Sequence, residues 1–384
     1  MANVQGRVQT LLDDLVGSGI ERGVQVAAYQ AGQLVVDAWA GVADAATGRL
    51  VDGETLFTVF SATKGITATV IHLLADRGQL DYDDAIAGYW PAFGAHGKDR
   101  VTVRHALTHT AGIPQLWDGV TPADMCDWER MCRAIADLTP LWQPGTRTGY
   151  HAATYGYILG EVARRVDGRP IAQIVQDEIC SPLGITTLYF GIPDEMESRV
   201  AVLESAALSD ETRSEETPPP PDVLTPAALY SRAMPPTLGS LEELFNRPDV
   251  RRASIPAGGG IMNARALARH YAVLACGELD GVRLLTPERI RLASTLQIED
   301  VDLVDGVPVR RALGYMLGGL ESKDPLGGRI TVFGHGAGRQ MVGFADPEQR
   351  FALGVTKNRM RWSEDTTYRI AREVRDALGI PESG

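Results

Sequence analysis

The sequence predicts an α+β fold in which an antiparallel sheet is built from the two ends of the chain and a mainly helical region is inserted between them. Three observations lead to this prediction: strand-like segments lie near both termini, helical periodicity dominates the middle, and strands do not alternate strictly with helices. Strict alternation would indicate a doubly wound parallel sheet instead. The chain has 384 residues, 44% of them hydrophobic, which is enough for one large core or two.

The N-terminal elements are a helix and a hairpin. Apolar residues recur at helical spacing over residues 4–18, which predicts an amphipathic helix. Two strand-like runs follow, at 24–29 and 34–39, and they flank the turn Ala31-Gly32-Gln33. A glycine-containing turn between two such runs is typical of a β-hairpin, so this hairpin begins the predicted sheet.

The middle of the chain, about 65–250, is mostly helical in pattern and is broken by proline and glycine. Within it, residues 215–221 read Glu-Glu-Thr-Pro-Pro-Pro-Pro, a run that favours an exposed polyproline conformation. We therefore expect residues 205–235 to form a long surface loop.

The C-terminal third is predicted to return to the sheet. Helical patterns at 263–276 and 286–296 precede most of the strands, and a final helix over 364–378 is ended by Gly379 and Pro381. The strand-like runs lie at 311–317, 329–333, 341–345 and 350–356.

These segments predict two domains. Residues 1–75 and 250–384 would form the sheet domain, flanked by the terminal helices, and residues 76–249 the mainly helical domain. The active site is expected between the two.

The charge balance argues against two classes of partner. The formal net charge is −12, whereas a protein that binds nucleic acid by releasing counterions needs a basic surface. An anionic membrane surface is disfavoured for the same reason. We expect a small-molecule partner, with neither nucleic acid nor membrane.

The sequence also predicts a cytoplasmic location. The N-terminal residues lack the basic start, apolar core and small-residue cleavage site of a secretory signal, and no run of about 18 apolar residues could span a bilayer. In a reducing compartment sparse cysteines are expected to be free thiols. The cysteines are Cys126, Cys132, Cys180 and Cys276.

The segment around Ser61 carries the first sign of chemistry. Ser61 would stand at the N-terminus of a helix, and Lys64 follows three residues later, a spacing that puts both side chains on one face. The positive end of the helix dipole favours an alkoxide and disfavours an ammonium, so Lys64 could take the Ser61 proton. A helix-capping Ser61 beside a solvated Lys64 would show the same spacing without catalysis.

Several motifs follow in order along the chain. With Ser61-Ala-Thr-Lys64 they are His105 to Ile113, Pro144-Gly145-Thr146 before Tyr150, Ser181 to Ile185, Gly258 to Met262, and Phe333 to Gly336. Together they resemble the serine β-lactamase-like superfamily, which includes class C β-lactamases, D-alanyl-D-alanine carboxypeptidases, family VIII carboxylesterases and related acyltransferases. The motifs are closest to those of family VIII carboxylesterases. The resemblance implies a β-lactamase/transpeptidase-like fold.

The resemblance also implies roles for three residues. Ser61 would be the nucleophile, Lys64 its base or proton relay, and Tyr150 a general base and acid whose phenol pKa is lowered by the nearby ammonium. The second family motif is Tyr-x-Asn, and here it reads Tyr150-His151-Ala152. The asparagine that orients the amide of a lactam or peptide is therefore missing.

The third motif departs from the family pattern as well. The β-lactamases have Lys-Thr-Gly, whereas this chain has His335-Gly336-Ala337, followed by Gly338. A neutral histidine holds a substrate carboxylate less well than a lysine does. His335 would bind a substrate carbonyl or would simply be a polar residue between glycines. The resemblance implies an oxyanion hole formed by the N–H of Ser61 and one near Gly336 to Gly338, with Gly338 favoured.

Other residues near the motifs give weaker signals. His105 and His109 have a spacing that could bind zinc, but the glutamate of the zinc-protease motif is absent, and we expect neither metal nor cofactor. The glycines at 258–260 predict a turn entering a helix. The sequence contains no Gly-x-Ser-x-Gly motif, so an α/β-hydrolase is disfavoured. Candidate pocket residues are Trp117, Trp142, His151 and Met341.

The function predicted is a serine carboxylesterase acting on a small-molecule ester or acyl substrate through a Ser61 acyl-enzyme. An acyltransferase of a biosynthetic pathway would use the same three residues. A β-lactamase or D-Ala-D-Ala carboxypeptidase and a protein that is acylated without turnover remain further alternatives.

Overall fold

A computed structural model describes residues 4–205, 224–320, 323–338, 340–361 and 365–382. Within these residues the strands, in chain order, are β1 (Gly23–Gln30), β2 (Gln33–Asp44), β3 (Arg49–Leu50), β4 (Phe57–Thr58), β5 (Leu188–Phe190), β6 (Glu204–Ser205), β7 (Gly260–Met262), β8 (Ile298–Val301), β9 (Pro308–Arg311), β10 (Met316–Leu317), β11 (Phe333–Gly336), β12 (Val342–Asp346), β13 (Phe351–Lys357) and β14 (Arg359–Met360).

The α-helices of the same residues are α1 (Val4–Gly17), α2 (Thr63–Asp76), α3 (Ile86–Tyr89), α4 (Val103–Leu107), α5 (Pro122–Cys126), α6 (Trp128–Asp137), α7 (Thr154–Asp167), α8 (Ile171–Val175), α9 (Ser181–Leu183), α10 (Pro226–Ala233), α11 (Leu241–Phe245), α12 (Pro248–Arg252), α13 (Ala264–Cys276), α14 (Pro287–Ala293) and α15 (Thr366–Leu378).

The central sheet joins the two ends of the chain, as predicted. Its described strands run in the order β3-β2-β1-β13-β12-β11-β10-β9-β8, and β1 pairs antiparallel with β13 so that Val24 lies opposite Lys357. The predicted hairpin is confirmed as β1 and β2. Ala31 and Gly32 both have positive φ, 48° and 84°, as the tight turn of a two-residue hairpin requires.

The sheet is covered on both faces. Alternate residues of β1 point in opposite directions: Val24, Val26 and Ala28 pack with the terminal helices α1 and α15, whereas Ala27 and Tyr29 pack in the larger core with α13. The helix α13 lies very close to β12 and β13, since a Cβ at Gly343 or Gly354 would lie 2.6 or 2.5 Å from its atoms.

Some predicted elements differ from those observed. The strand predicted at 311–317 is divided into β9 and β10 because Gly314 turns the chain with φ 80°. The strand predicted at 329–333 begins only at Phe333, after a turn. The helix predicted at 286–296 ends at Ala293, and the final helix begins at Thr366.

The loop predicted at 205–235 is wrong in its second half. Helix α10 occupies Pro226–Ala233, because the Thr225 side chain caps its first turn and Pro226 stands at its first position. Residues 206–223, with the proline run at 215–221, lie outside the described residues. The division into two domains stays a prediction.

In the described part of the chain, no helix is both long enough and apolar enough to cross a bilayer. All four cysteines are free; Cys132 and Cys180 are buried, and Cys126 and Cys276 are half-buried.

A buried ion pair ties the two ends of the chain together. Lys357, at the end of β13, donates to Glu21 over 2.6 Å, and both side chains have no exposed surface. The hydroxyl of Thr366, the first residue of α15, donates to the same oxygen of Glu21. The pair therefore links the segment before β1 with β13 and the last helix.

We expect Glu21→Ala to lower the free energy of unfolding by about 3–5 kcal/mol, because it removes a buried carboxylate that neutralises the buried Lys357 ammonium. The matched control is Arg7→Ala, which breaks the exposed pair that Arg7 forms with Glu373 and should cost less than about 1 kcal/mol. Urea unfolding followed by circular dichroism measures both. Equal losses in the two variants would contradict this account.

Candidate active site

Ser61 lies in a strained turn between β4 and α2. A short 3-10 turn, Phe60–Ala62, leads into the helix, and Phe60 has φ 45°, a left-handed conformation that costs energy for a bulky residue. Val59 donates its N–H to Gly260 on β7 and so fixes the start of the turn. The predicted position of Ser61 at a helix N-terminus is confirmed.

Lys64 lies in the first turn of α2, facing Ser61. Its side chain is fully buried, and Nζ lies 3.3 Å from Ser61 Oγ. Nζ also lies 2.8 Å from each of two backbone carbonyl oxygens, those of Ala152 and Ala257. Burial lowers the pKa of the Lys64 amine to about 7. A neutral amine has two N–H bonds and one lone pair; when the carbonyls accept both N–H bonds, the lone pair is left for Ser61.

Tyr150 completes the group, but its electrostatics differ from the expectation. Ser61 is close enough to lower the pKa of its phenol, and Lys64 Nζ lies 4.8 Å from the centre of its ring. Desolvation raises the pKa of the Tyr150 phenol well above its ordinary value, so the expected lowering is wrong. The reason is that burial penalises the phenolate and also weakens the neighbouring ammonium that was expected to offset this.

A buried ion pair that the sequence analysis missed holds Tyr150 in place. Asp302 Oδ1 accepts the backbone N–H of Tyr150 over 3.1 Å, and Asp302 Oδ2 accepts from Arg311 over 2.6 Å. Arg311 also donates to the Thr148 hydroxyl. Asp302 and Arg311 are both buried. They are 152 and 161 residues from Tyr150 and belong to no recognised motif.

The third motif lies beside the cavity that Ser61 borders, and its backbone N–H groups are the candidate oxyanion donors. Residues 336–338 border the same cavity as Ser61. The N–H of Ala337 donates to the Met341 carbonyl over 2.9 Å and is therefore occupied. Among the described residues, the N–H of Gly338 has no acceptor, which agrees with the preference for Gly338 as the donor.

His335 also borders this cavity and is uncharged. Burial lowers the pKa of its imidazole to about 3, and its Nδ1 lies 3.0 Å from the carbonyl oxygen of Gly336. A carbonyl only accepts, so Nδ1 carries the proton and Nε2 is an acceptor. In this tautomer His335 offers a substrate carboxylate no positive charge.

The cavity beside Ser61 has a volume of about 410 Å³ and is mostly apolar. Phe60, Met125 and Phe245 form part of its wall, and Tyr150 and Asp305 add polar groups. Tyr230 of α10 also borders it. Part of the segment that was predicted as loop is therefore a helix that lines the cavity.

The four candidate pocket residues do not border this cavity. Trp117 is half-buried against the main core, and Met341 is fully buried. Trp142 donates its indole N–H to the Arg147 carbonyl, and His151 lies buried beside Trp142. These four residues are near the motifs in sequence, but they pack elsewhere in the protein and do not line the cavity.

The two histidines at zinc-type spacing accept hydrogen bonds from backbone N–H groups. His105 Nδ1 accepts the N–H of Thr102 at the start of α4, and His109 Nδ1 accepts the N–H of His151. In the described ranges, His, Cys, Asp and Glu form no group that could hold a metal ion.

The glycine turn enters a strand rather than a helix. Gly260 begins β7, which pairs with β4 and β5, and α13 starts only at Ala264. The turn before β7 supplies the Ala257 carbonyl that binds Lys64. Gly260 is required because a Cβ there would lie 2.6 Å from the Thr63 hydroxyl.

Comparison with known proteins gives one consistent result. The family model described as Beta-lactamase matches residues 8–377. The protein described as "Esterase/beta-lactamase LipL" of Mycobacterium tuberculosis is 34% identical over 357 residues, which are 88% of this chain and 77% of that protein. A crystal structure of a family VIII carboxylesterase has a TM-score of 0.87 and 31% identity, with 98% of each chain covered. A penicillin-binding protein homologue from Caulobacter crescentus has a TM-score of 0.85 and 32% identity, also with 98% of each chain covered.

These matches confirm the resemblance drawn from the motifs and the β-lactamase/transpeptidase-like fold of mixed helices and antiparallel sheet. The family model extends over nearly the whole chain, from the first terminal helix to the last. This chain belongs to the beta-lactamase family.

Proposed function

We propose that this protein is a serine carboxylesterase, with Ser61 as nucleophile, Lys64 as base and Tyr150 as proton relay. The observation that carries the proposal is the buried amine of Lys64, 3.3 Å from Ser61 Oγ and held by two carbonyl oxygens. A base with a pKa of about 7 suits proton transfer at neutral pH. The names of the esterase relatives support the same reaction.

Acylation begins when Ser61 Oγ attacks the ester carbonyl and its proton passes to Lys64 Nζ. The oxyanion is held by the N–H groups of Ser61 and Gly338. When the C–O bond breaks, the neutral phenol of Tyr150 gives its proton to the leaving alkoxide, and the proton on Lys64 restores the phenol. The acyl group is then bound to Ser61.

Deacylation repeats these steps with water. Water attacks the acyl carbon and loses a proton to Lys64, Ser61 Oγ leaves, and the proton returns to Ser61. The products are the carboxylic acid and the free enzyme. The reaction needs no group beyond these side chains and N–H donors.

Two departures favour esters over lactams and peptides. Ala152 stands where the family has an asparagine, and its carbonyl is used by Lys64. His335, in place of a lysine, is uncharged at neutral pH. Ester hydrolysis requires neither the asparagine that orients an amide nor the lysine that binds a substrate carboxylate. The two changes therefore leave ester hydrolysis intact.

We expect Ser61→Ala to lower the turnover of 4-nitrophenyl butanoate by about 10³-fold or more, because the acyl-enzyme cannot form. The same assay with a chromogenic cephalosporin should give little turnover by either protein. The matched control is Ser18→Ala, which removes an exposed hydroxyl after α1 and should leave the rate unchanged. Dominant lactam turnover would overturn the substrate class, and ester turnover that survives in Ser61→Ala would overturn the nucleophile.

The pH dependence should follow Lys64. Its lowered pKa, about 7, means that the amine is protonated and inactive as a base in acid. We expect kcat/KM for an uncharged ester to fall about tenfold per pH unit below pH ~7 and to level off above it. Stopped-flow measurement of nitrophenol release gives this profile.

Lys64→Arg provides the control for this profile, because arginine stays protonated throughout the range. It should lose at least ~10²-fold in rate and show no inflection near neutral pH. A wild-type profile that is flat from about pH 5 to 8 would rule out Lys64 as the base.

A further inference from the structure

The charged side chains that border the cavity differ in whether an oppositely charged side chain neutralises them. Three of its cationic side chains each have a carboxylate partner within 3 Å: Arg310 with Glu299 at 2.7 Å, Arg311 with Asp302 at 2.6 Å, and Lys323 with Asp365 at 2.8 Å. These cations are therefore compensated by the protein itself.

Asp305 is the contrasting case. Its side chain borders the cavity and keeps exposed surface, although the surrounding protein removes part of its hydration. Among the described residues its carboxylate has neither an ion pair nor a hydrogen-bond donor. Its backbone is fixed, since its N–H donates to Asp302 Oδ1 over 2.9 Å and the adjacent Gly306 turns the chain with φ 70°.

This carboxylate is close enough to influence the catalytic groups. Its charge raises the pKa of both Lys64 and Tyr150, and it also acts on Tyr230. Desolvation, followed by repulsion from Asp302, raises the pKa of Asp305 to about 6. Asp305 is therefore ionised above neutral pH, in a cavity whose other walls are mostly apolar.

We propose that Asp305 determines the charge preference of the active site, favouring esters that carry a protonated or quaternary amine and disfavouring esters that carry a carboxylate. The inference rests on the proposed esterase function, whose substrate class it narrows. An ammonium group would supply the partner that Asp305 lacks. A carboxylate would be repelled by Asp305 and would find no cation at His335.

The test uses substrates matched in shape, with the charge on the acyl side or on the alcohol side. The acyl series consists of the 4-nitrophenyl esters of 4-(trimethylammonio)butanoate, its neutral isostere 5,5-dimethylhexanoate, and glutarate. The alcohol series consists of acetylcholine, its neutral isostere 3,3-dimethylbutyl acetate, and 3-acetoxypropanoate. Initial rates at pH ~8 give kcat/KM for each, and the two series show which part of the ester lies beside Asp305.

We expect Asp305→Asn to lower the cation-to-neutral ratio of kcat/KM by about fivefold to tenfold in at least one series, as the loss of one nearby charge predicts. The anion-to-neutral ratio should rise in the same series. Because each ratio is taken within one variant, a general loss of activity cancels. Asp305→Glu, which keeps the charge, should keep the preference for the cation.

The matched control is Asp300→Asn, which removes the same charge from the exposed edge strand β8. Its ratios should stay within about twofold of wild type, because Asp300 does not border the cavity and its charge is screened from the substrate by solvent. Ratios that do not change in Asp305→Asn, or that change equally in Asp300→Asn, would overturn the assignment and leave the esterase function standing. A wild-type protein that hydrolyses neither of the neutral esters would overturn the esterase function instead.

Discussion

The proposed active site depends on one physical constraint, the removal of the Lys64 amine from water. An ammonium loses much of its hydration when it is fully buried, and this cost lowers the pKa of Lys64 to about 7. Had the side chain reached solvent, it would remain protonated and could not accept a proton from Ser61. The closed packing around Lys64 is therefore part of the core and also gives the amine the lowered pKa that the proposed mechanism requires.

Three separate parts of the chain provide that packing. Helix α2 supplies Lys64, the segment before α7 supplies the Ala152 carbonyl, and the turn before β7 supplies the Ala257 carbonyl. The small sheet of β4, β7 and β5 fixes the distance between the first and third parts. The fold thus brings together two carbonyl oxygens that accept hydrogen bonds from the neutral amine. Neither oxygen carries a charge that would neutralise the ammonium.

The parts of this arrangement that the sequence could predict are those that follow from side-chain type and local spacing. Ser61 and Lys64 are three residues apart on one helix, so their meeting needs no long-range information. The carbonyls that bind Lys64 belong to alanines, and any residue carries the same carbonyl. The link between Asp302 and Tyr150 spans 152 residues and depends on how the edge strand β8 and its neighbour β9 pack beside the site, which no local pattern encodes.

The pKa of Tyr150 shows why a motif alone gives an incomplete electrostatic description. The motif suggested a lysine ammonium that stabilises a phenolate, but the burial that makes Lys64 a base also makes both charged forms unfavourable. The stable combination near neutral pH is a neutral amine with a neutral phenol, which fits the roles proposed for Lys64 as base and Tyr150 as acid. In the proposed mechanism a proton that leaves Ser61 therefore creates the first charge separation, and the proposed oxyanion donors would stabilise the negative part of it. In this site the same desolvation lowers one pKa, raises the other, and so sets the direction in which the proton moves.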